Sequence, residues 1–276
     1  MIIVLTAGSV FREIYADDRA YQLFCSIAAS GEDQGGWENE RIASLVRDRE
    51  LAPKIARHGA DERKHGRIFD RLMRKRGVGP VDVPDDADYC MLLERQGIGL
   101  IHERLKDDRP LTDRDVITYL VHSRVTEQRA SEDMRLMVRV FGDDPEIGRA
   151  VRMISADEDN HLAYCHEELL RLSAAGHGGY IRELLRRTAK AEIRTHRGVG
   201  LAVMRRMGEI LGWPSWKRGL LAAGVYGLWL YEEAYGWRRM VELRMPEPRM
   251  RNAMAPARAD GRQAGGDGFA LVGEVT

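Results

Sequence analysis

Two six-residue stretches of this chain, residues 60–65 and 156–161, both read A-D-E-x-x-H. Each lies in a segment whose apolar residues recur at helical spacing, and residues three apart on a helix share a face. Glu62 with His65, and Glu158 with His161, can therefore aim a carboxylate and an imidazole at one point. The match runs further than the six residues. Glu50 and Glu146 stand at the same distance before the two motifs, each opening its predicted helix. Upstream, with one residue of slippage, Glu32-Asp33-Gln34-Gly35-Gly36 falls on Glu127-Gln128-Arg129-Ala130-Ser131, a glutamate followed after two residues by two small ones. A duplication of this length predicts two helical hairpins, each with a single Glu on its first helix and an E-x-x-H on its second.

The rest of the chain reads as all-α. Charged residues make up 31% of it and long β-branched runs are scarce, the balance of amphipathic helices. Helices are predicted over 11–46, 50–76, 86–106, 112–141, 145–174, 180–211 and 215–243. Thr112 serves as an N-cap with Asp115 at capping-box spacing, Pro145 stands in the first position of its helix, and Trp213-Pro214 breaks the last pair. The 86–106 helix crosses the molecule, so that the hairpins can close into a four-helix bundle. This gives a bundle at 10–174, a helical extension packed on it at 175–245, and a Gly-, Ala- and Arg-rich tail at 246–276 with too few large apolar residues to order itself.

One Glu and one E-x-x-H per half supply four carboxylates and two imidazoles from four helices, the donor set of dinuclear carboxylate sites in helix bundles. On these residues the chain resembles the ferritin-like di-iron carboxylate superfamily, which includes rubrerythrins, bacterioferritins, ubiquinone-biosynthesis hydroxylases and N-oxygenases. The resemblance covers residues 10–174. It implies a ferritin-like bundle with Glu32, Glu62, His65, Glu127, Glu158 and His161 as metal ligands and two iron ions, or manganese, as cofactor. Two divalent ions would cancel the charge of the four carboxylates. Glu32 is preferred to Glu38 and Glu40 because it alone is followed by the small pair. His58, one turn before Glu62, resembles the additional ligand of arylamine N-oxygenases, although there the extra histidine belongs to the other half, where this chain has Ile154, and a structural histidine is the reading the spacing favours. Asp61 and Asp157, one turn before His65 and His161, are expected to orient those imidazoles.

Two glycines inside a helix cost about 1–2 kcal/mol relative to alanine. Gly35 and Gly36, with Ala130 and Ser131, are accordingly expected to leave a cavity for dioxygen or substrate. His102, His122, His166, His177 and His196 lack partnered spacing and read as structural. Tyr226, Trp229, Tyr231, Tyr235 and Trp237 read as core or as the interface of a homodimer.

Composition narrows the function. The 43 basic and 43 acidic residues cancel, so no net field draws the chain to nucleic acid. The three cysteines, Cys25, Cys90 and Cys165, form no C-x-x-C, which excludes a rubredoxin or zinc-ribbon site and fits a reducing cytoplasm. No apolar run is long enough to predict a membrane span. The reading is a dinuclear iron oxygenase or oxidase that uses dioxygen on a small organic substrate. An external electron donor is needed, because no flavin or nicotinamide fingerprint is present. The alternative is a rubrerythrin-like ferroxidase or peroxidase, or an iron-handling protein.

Overall fold

Asp17 divides what the apolar periodicity suggests is one N-terminal helix. In the computed structural model, which describes residues 6–243, its backbone is extended and its carboxylate accepts from the amides of Arg19 and Ala20. Helix α1 (Ala7–Ala16) ends there and α2 (Asp18–Leu45) begins. The predicted 11–46 helix is thus two, because an N-cap aspartate satisfies amides that a continuous helix would have to bond internally. A short turn leads to α3 (Leu51–Lys75), which closes the first hairpin.

The crossover departs from expectation. Residues 86–106 form only α4 (Tyr89–Arg95) and α5 (His102–Lys106), because Gly97 and Gly99 adopt φ of 69° and 80°, a left-handed conformation that ends a helix. Helix α6 (Asp113–Phe141) opens with the capping box of Thr112 and Asp115. Helix α7 (Gly148–Leu172) starts three residues beyond Pro145, since the Asp144 carboxylate accepts from the amides of Glu146 and Ile147 and holds those residues in a turn. A five-residue kink (Ser173–His177), with Gly176 outside helical conformation at φ 104°, joins α7 to α8 (Gly178–Ile210). Gly212, also left-handed, and Pro214 separate α8 from α9 (Ser215–Tyr231). A π-helical turn and the short α10 (Arg238–Val241) follow. Every regular element among the described residues is helical, and none is long and apolar enough to cross a membrane. The tail predicted at 246–276 lies outside the described residues.

Burial explains where polar chemistry can sit. One apolar cluster takes Ile42 and Leu45 of α2, Leu51 and Ile55 of α3, the stretch from Ile117 to Val125 of α6, and Tyr164 to Leu169 of α7. A second takes Tyr21 and Cys25 of α2, Ile68, Leu72 and Met73 of α3, Met137 and Phe141 of α6, Ile147 just before α7, and Val151 and Ile154 of α7. Each fully buried aliphatic side chain contributes roughly 1.5–3 kcal/mol, so both ends of the four helices are held firmly. Between the clusters all four helices leave an interval without a core residue. Glu32 falls in that interval on α2, His58, Glu62 and His65 on α3, Glu127 on α6, and Glu158 and His161 on α7.

The C-terminal helices share this core. Ile181, Leu185, Ala189 and Ile193 of α8 belong to the first cluster, and Met207 joins Val10 and Ile14 of α1 in a third. Arg129, two residues beyond Glu127, pins them in place. Its buried guanidinium donates to both Glu192 carboxylate oxygens, at 2.8 and 3.0 Å, and to both of Glu232, at 2.8 and 2.9 Å. Such a pair adds little net stability once desolvation is counted, but its geometry fixes register. The late aromatics divide: Trp229 and Trp237 pack on the core, while Tyr226, Tyr231 and Tyr235 face outward.

Candidate metal centre

One donor atom from each of His58, Glu62, Glu127 and His161 lies within 4.8 Å of the others, and the same holds for Glu32, Glu62, His65 and Glu158. Donors bonded at about 2.0–2.2 Å around one ion stand up to about 4.4 Å apart, so each group, within 4.8 Å, is within a few tenths of an ångström of the span of a coordination shell. Glu62 belongs to both groups. Glu158 also reaches across, with Oε1 3.4 Å from His65 Nδ1 and Oε2 3.8 Å from His161 Nδ1. The residues expected as ligands, Glu32, Glu62, His65, Glu127, Glu158 and His161, are all brought together. Glu38 accepts from Gln34 and faces His102, and Glu40 pairs with Arg63, so neither enters.

His58, read from spacing as structural, stands in the cluster instead. Its Nε2 is 3.2 Å from both Glu62 Oε1 and Glu127 Oε1, and its ring stacks 3.9 Å from that of His161. The repeat misled because Ile154 fills the matching place. The aspartates differ from expectation in another way. Asp157 meets His65 Nε2 at 3.1 Å and Asp61 meets His161 Nε2 at 3.6 Å, so each aspartate serves the opposite helix. Two antiparallel helices facing each other bring the carboxylate of one over the imidazole of the other. Lys64 Nζ ties the two aspartates at 2.7 Å from each, a contact that the sequence pattern did not reveal.

The space expected beside Gly35 and Gly36 is filled. A Cβ on Gly35 would come 3.0 Å from Glu62 Oε2, and one on Gly36 would come 2.8 Å from Arg63 Cδ. These glycines make room for α3, whose own Gly59 faces the α2 backbone so closely that a Cβ there would come 3.1 Å from Gly36 O and Glu40 N, rather than for a ligand cavity. Ser131 is fully buried and donates to Asp159 at 2.8 Å. An apolar cavity of about 30 Å³, lined by Phe11, Phe24, Phe69 and Met137 among others, lies in the second cluster, away from the carboxylates. A larger one of about 300 Å³ lies between α8 and α9.

Electrostatics make the cluster a trap for positive charge. Burial and the charge of Glu62 push Glu32 well above the usual carboxylate range, and burial with Glu127 does the same to Glu158. Burial also opposes the charge of Glu62 and Glu127, but hydrogen bonds from His58 and the positive charges of His58 and His161 outweigh it and hold both low. Desolvation disfavours a charged His65, yet Asp157 and Glu32 lift it to about 9. His161 rises well above its ordinary value against the same desolvation, through Asp61, Glu127 and Glu158. Protons on imidazoles and on two carboxyls thus neutralise the metal-free cluster. They do so imperfectly. Both ring nitrogens of His161 and Oε2 of Glu127 are buried without a hydrogen-bond partner, although three carboxylates lie 3.4–3.8 Å from His161 Nδ1. These contacts are longer than the usual hydrogen-bond range, none of them forms a hydrogen bond, and they leave width for an ion between the groups.

The remaining histidines lie elsewhere. His102 stacks on Trp37 and bonds Glu94, and burial lowers His122 and His166 to about 4.

No protein family, no curated protein and no solved structure matches this chain.

Proposed function

We propose that the chain is a dinuclear non-haem iron oxygenase or oxidase on a ferritin-like bundle, oxidising a small organic substrate with dioxygen and electrons from an external donor. The observation that carries this reading is the sharing of Glu62 between two four-donor groups, beside a buried His161 whose Nδ1 has carboxylates around it and no hydrogen bond. Oxygen and nitrogen donors without thiolate suit iron or manganese better than structural zinc. Bound iron would supply dioxygen activation. The chain's own part is positional. Glu62 reaches both sides of the pair, Glu158 stands with Glu32 and His65, Asp157 and Asp61 face the Nε2 atoms of His65 and His161 so that the Nδ1 atoms face inward, and the two apolar clusters keep bulk water out. The third imidazole is the feature behind the likeness to arylamine N-oxygenases, so an arylamine is the first substrate to try.

The filled space at Gly35 and Gly36 favours a second reading, a ferroxidase or peroxidase whose substrate is no larger than ferrous iron or peroxide. One experiment separates them. Protein loaded anaerobically with ferrous iron is expected to hold two ions per chain, and on admission of dioxygen with a reductant to convert an aniline to its N-oxygenated product. Ferric iron accumulating with the aniline untouched supports the second reading, and one ion or none per chain refutes both.

A further inference from the structure

His58 is the end of a buried hydrogen-bond chain to which each of the four bundle helices contributes one residue. Asn39 of α2, Tyr119 of α6 and Tyr164 of α7 are all buried, like His58 of α3. Tyr119 Oη donates to Asn39 Oδ1 at 2.7 Å, the two phenol oxygens are 2.6 Å apart, and Tyr164 Oη is 2.8 Å from His58 Nδ1. Each phenol has one proton to give, and an amide oxygen can only accept. Tyr119 spends its proton on Asn39, so it must accept from Tyr164. Tyr164 must then accept from His58, and the ring nitrogen that donates is Nδ1. The other nitrogen, Nε2, is the one 3.2 Å from Glu62 and Glu127.

We propose that Asn39, Tyr119 and Tyr164 are positioning residues that fix His58 as an Nδ1–H donor and so reserve its Nε2 lone pair for the ion held with Glu62, Glu127 and His161. This rests on the dinuclear reading above. A role as an electron relay fits the same atoms less well. A phenol that gives up an electron must shed its proton, and the chain ends at an amide that cannot take one.

The test titrates the metal-free full-length protein with cobalt(II), followed by calorimetry and visible absorption. Wild type is expected to bind two equivalents. Tyr164→Phe and Tyr119→Phe, which keep ring volume, should each weaken one equivalent by about 10–100-fold, the usual cost of removing the outer partner of a ligating histidine, and leave the other equivalent unchanged. Tyr119→Phe is the sharper variant, because Tyr119 does not touch His58 and acts only by freeing Tyr164 to turn its proton toward Nδ1. The double variant should lose no more than the worse single. Thermal melts identify any variant that fails to fold, and histidine NMR spectra of the zinc-loaded wild type, which need no variant, should place the His58 proton on Nδ1. Two wild-type equivalents with unchanged affinities in both Phe variants, or a proton on Nε2, would overturn the positioning role alone. Fewer than two equivalents in wild type would overturn the dinuclear reading and this proposal with it.

Discussion

The hairpins α2–α3 and α6–α7 carry the same A-D-E-x-x-H, yet they do not contribute equally. The first supplies Glu32, His58, Glu62 and His65, the second Glu127, Glu158 and His161. Where the halves differ, at His58 against Ile154, Lys64 against Asn160, and Gly35-Gly36 against Ala130-Ser131, the surroundings of the two donor groups differ as well. Duplication places the donors, and divergence makes the two positions inequivalent. The sharpest way to break this comparison is to remove the motif glutamates one at a time. Glu62 stands in both groups and Glu158 in one. Glu62→Ala is therefore expected to lose both ions and Glu158→Ala to retain one, read by metal analysis after loading with ferrous iron. Equal losses would mean that the halves are symmetric after all.

Acidity offers the next largest effect, and it should differ in sign between the metal-free and loaded protein. In the folded metal-free chain His65 is lifted to about 9, above the value of about 6.5 expected when unfolded. A raised histidine stabilises the fold fully below about pH 6.5, and that stabilisation disappears as the pH climbs through about 9. The ceiling on this contribution is about 3 kcal/mol, less whatever the neighbouring carboxyls recover by releasing protons of their own. Metal-free protein should accordingly melt at a lower temperature at pH 9 than at pH 6.5. Loaded protein should move the other way, since ions compete with protons for the same nitrogens and are held best when those are bare. Melting curves across this range, with and without metal, check both signs, and a metal-free curve that does not fall would remove the assigned protons from the cluster.

What could be read from the sequence follows from what a repeat encodes. Register along a helix is a local property, so matching Glu62 with Glu158 and allowing a single slipped residue was enough to select Glu32 over Glu38 and Glu40. The four long helices were legible for the same reason, as was the Thr112 capping box. Local breaks were missed where apolar periodicity ran through them. Asp17 caps α2 in the middle of an unbroken pattern, and Gly97 and Gly99 end the crossover helix by conformations that periodicity does not register. Relations between helices were out of reach. Which aspartate meets which imidazole depends on how α3 faces α7, and the repeat offers His58 no twin by which its spacing could mark it as more than a candidate extra ligand. The two glycines read as leaving a cavity for dioxygen or substrate, whereas packing brings α3 and the Glu62 carboxylate into that space.

The crossed aspartates give a smaller, graded effect. Asp157 lies within hydrogen-bonding distance of His65 Nε2, at 3.1 Å, whereas Asp61 stands 3.6 Å from His161 Nε2. Replacing the acceptor behind a ligating histidine usually lowers metal affinity by about 10–100-fold. Asp157→Asn should fall in that range and act on the ion held with Glu32 and His65. Asp61→Asn should cost less and act on the other ion. Titration of each variant with cobalt(II) distinguishes them. If Asp157→Asn weakened only the ion beside His161, on its own helix, the crossed arrangement would be wrong.

The smallest effect comes from exchanging the small residues between the halves. Alanine is the better helix former by about 0.8–1 kcal/mol, so Gly35→Ala should raise the melting temperature of the metal-free protein, in which the Glu62 carboxylate can give the few tenths of an ångström that a new Cβ at 3.0 Å demands. Bound ions remove that freedom by holding Glu62 in place, and the same substitution should then weaken metal binding several-fold. Ala130→Gly is the mirror test on α6. It costs the helix a similar amount of stability and introduces no contact with a ligand, so the melting temperature should fall while affinity stays put. The informative quantity is the sign of the two changes taken together: stability and affinity part company at Gly35, and only stability moves at Ala130. A Gly35→Ala protein that gained stability and bound both ions as tightly as wild type would show that Glu62 has slack even when loaded, and the glycine would then serve only the close approach of α2 and α3.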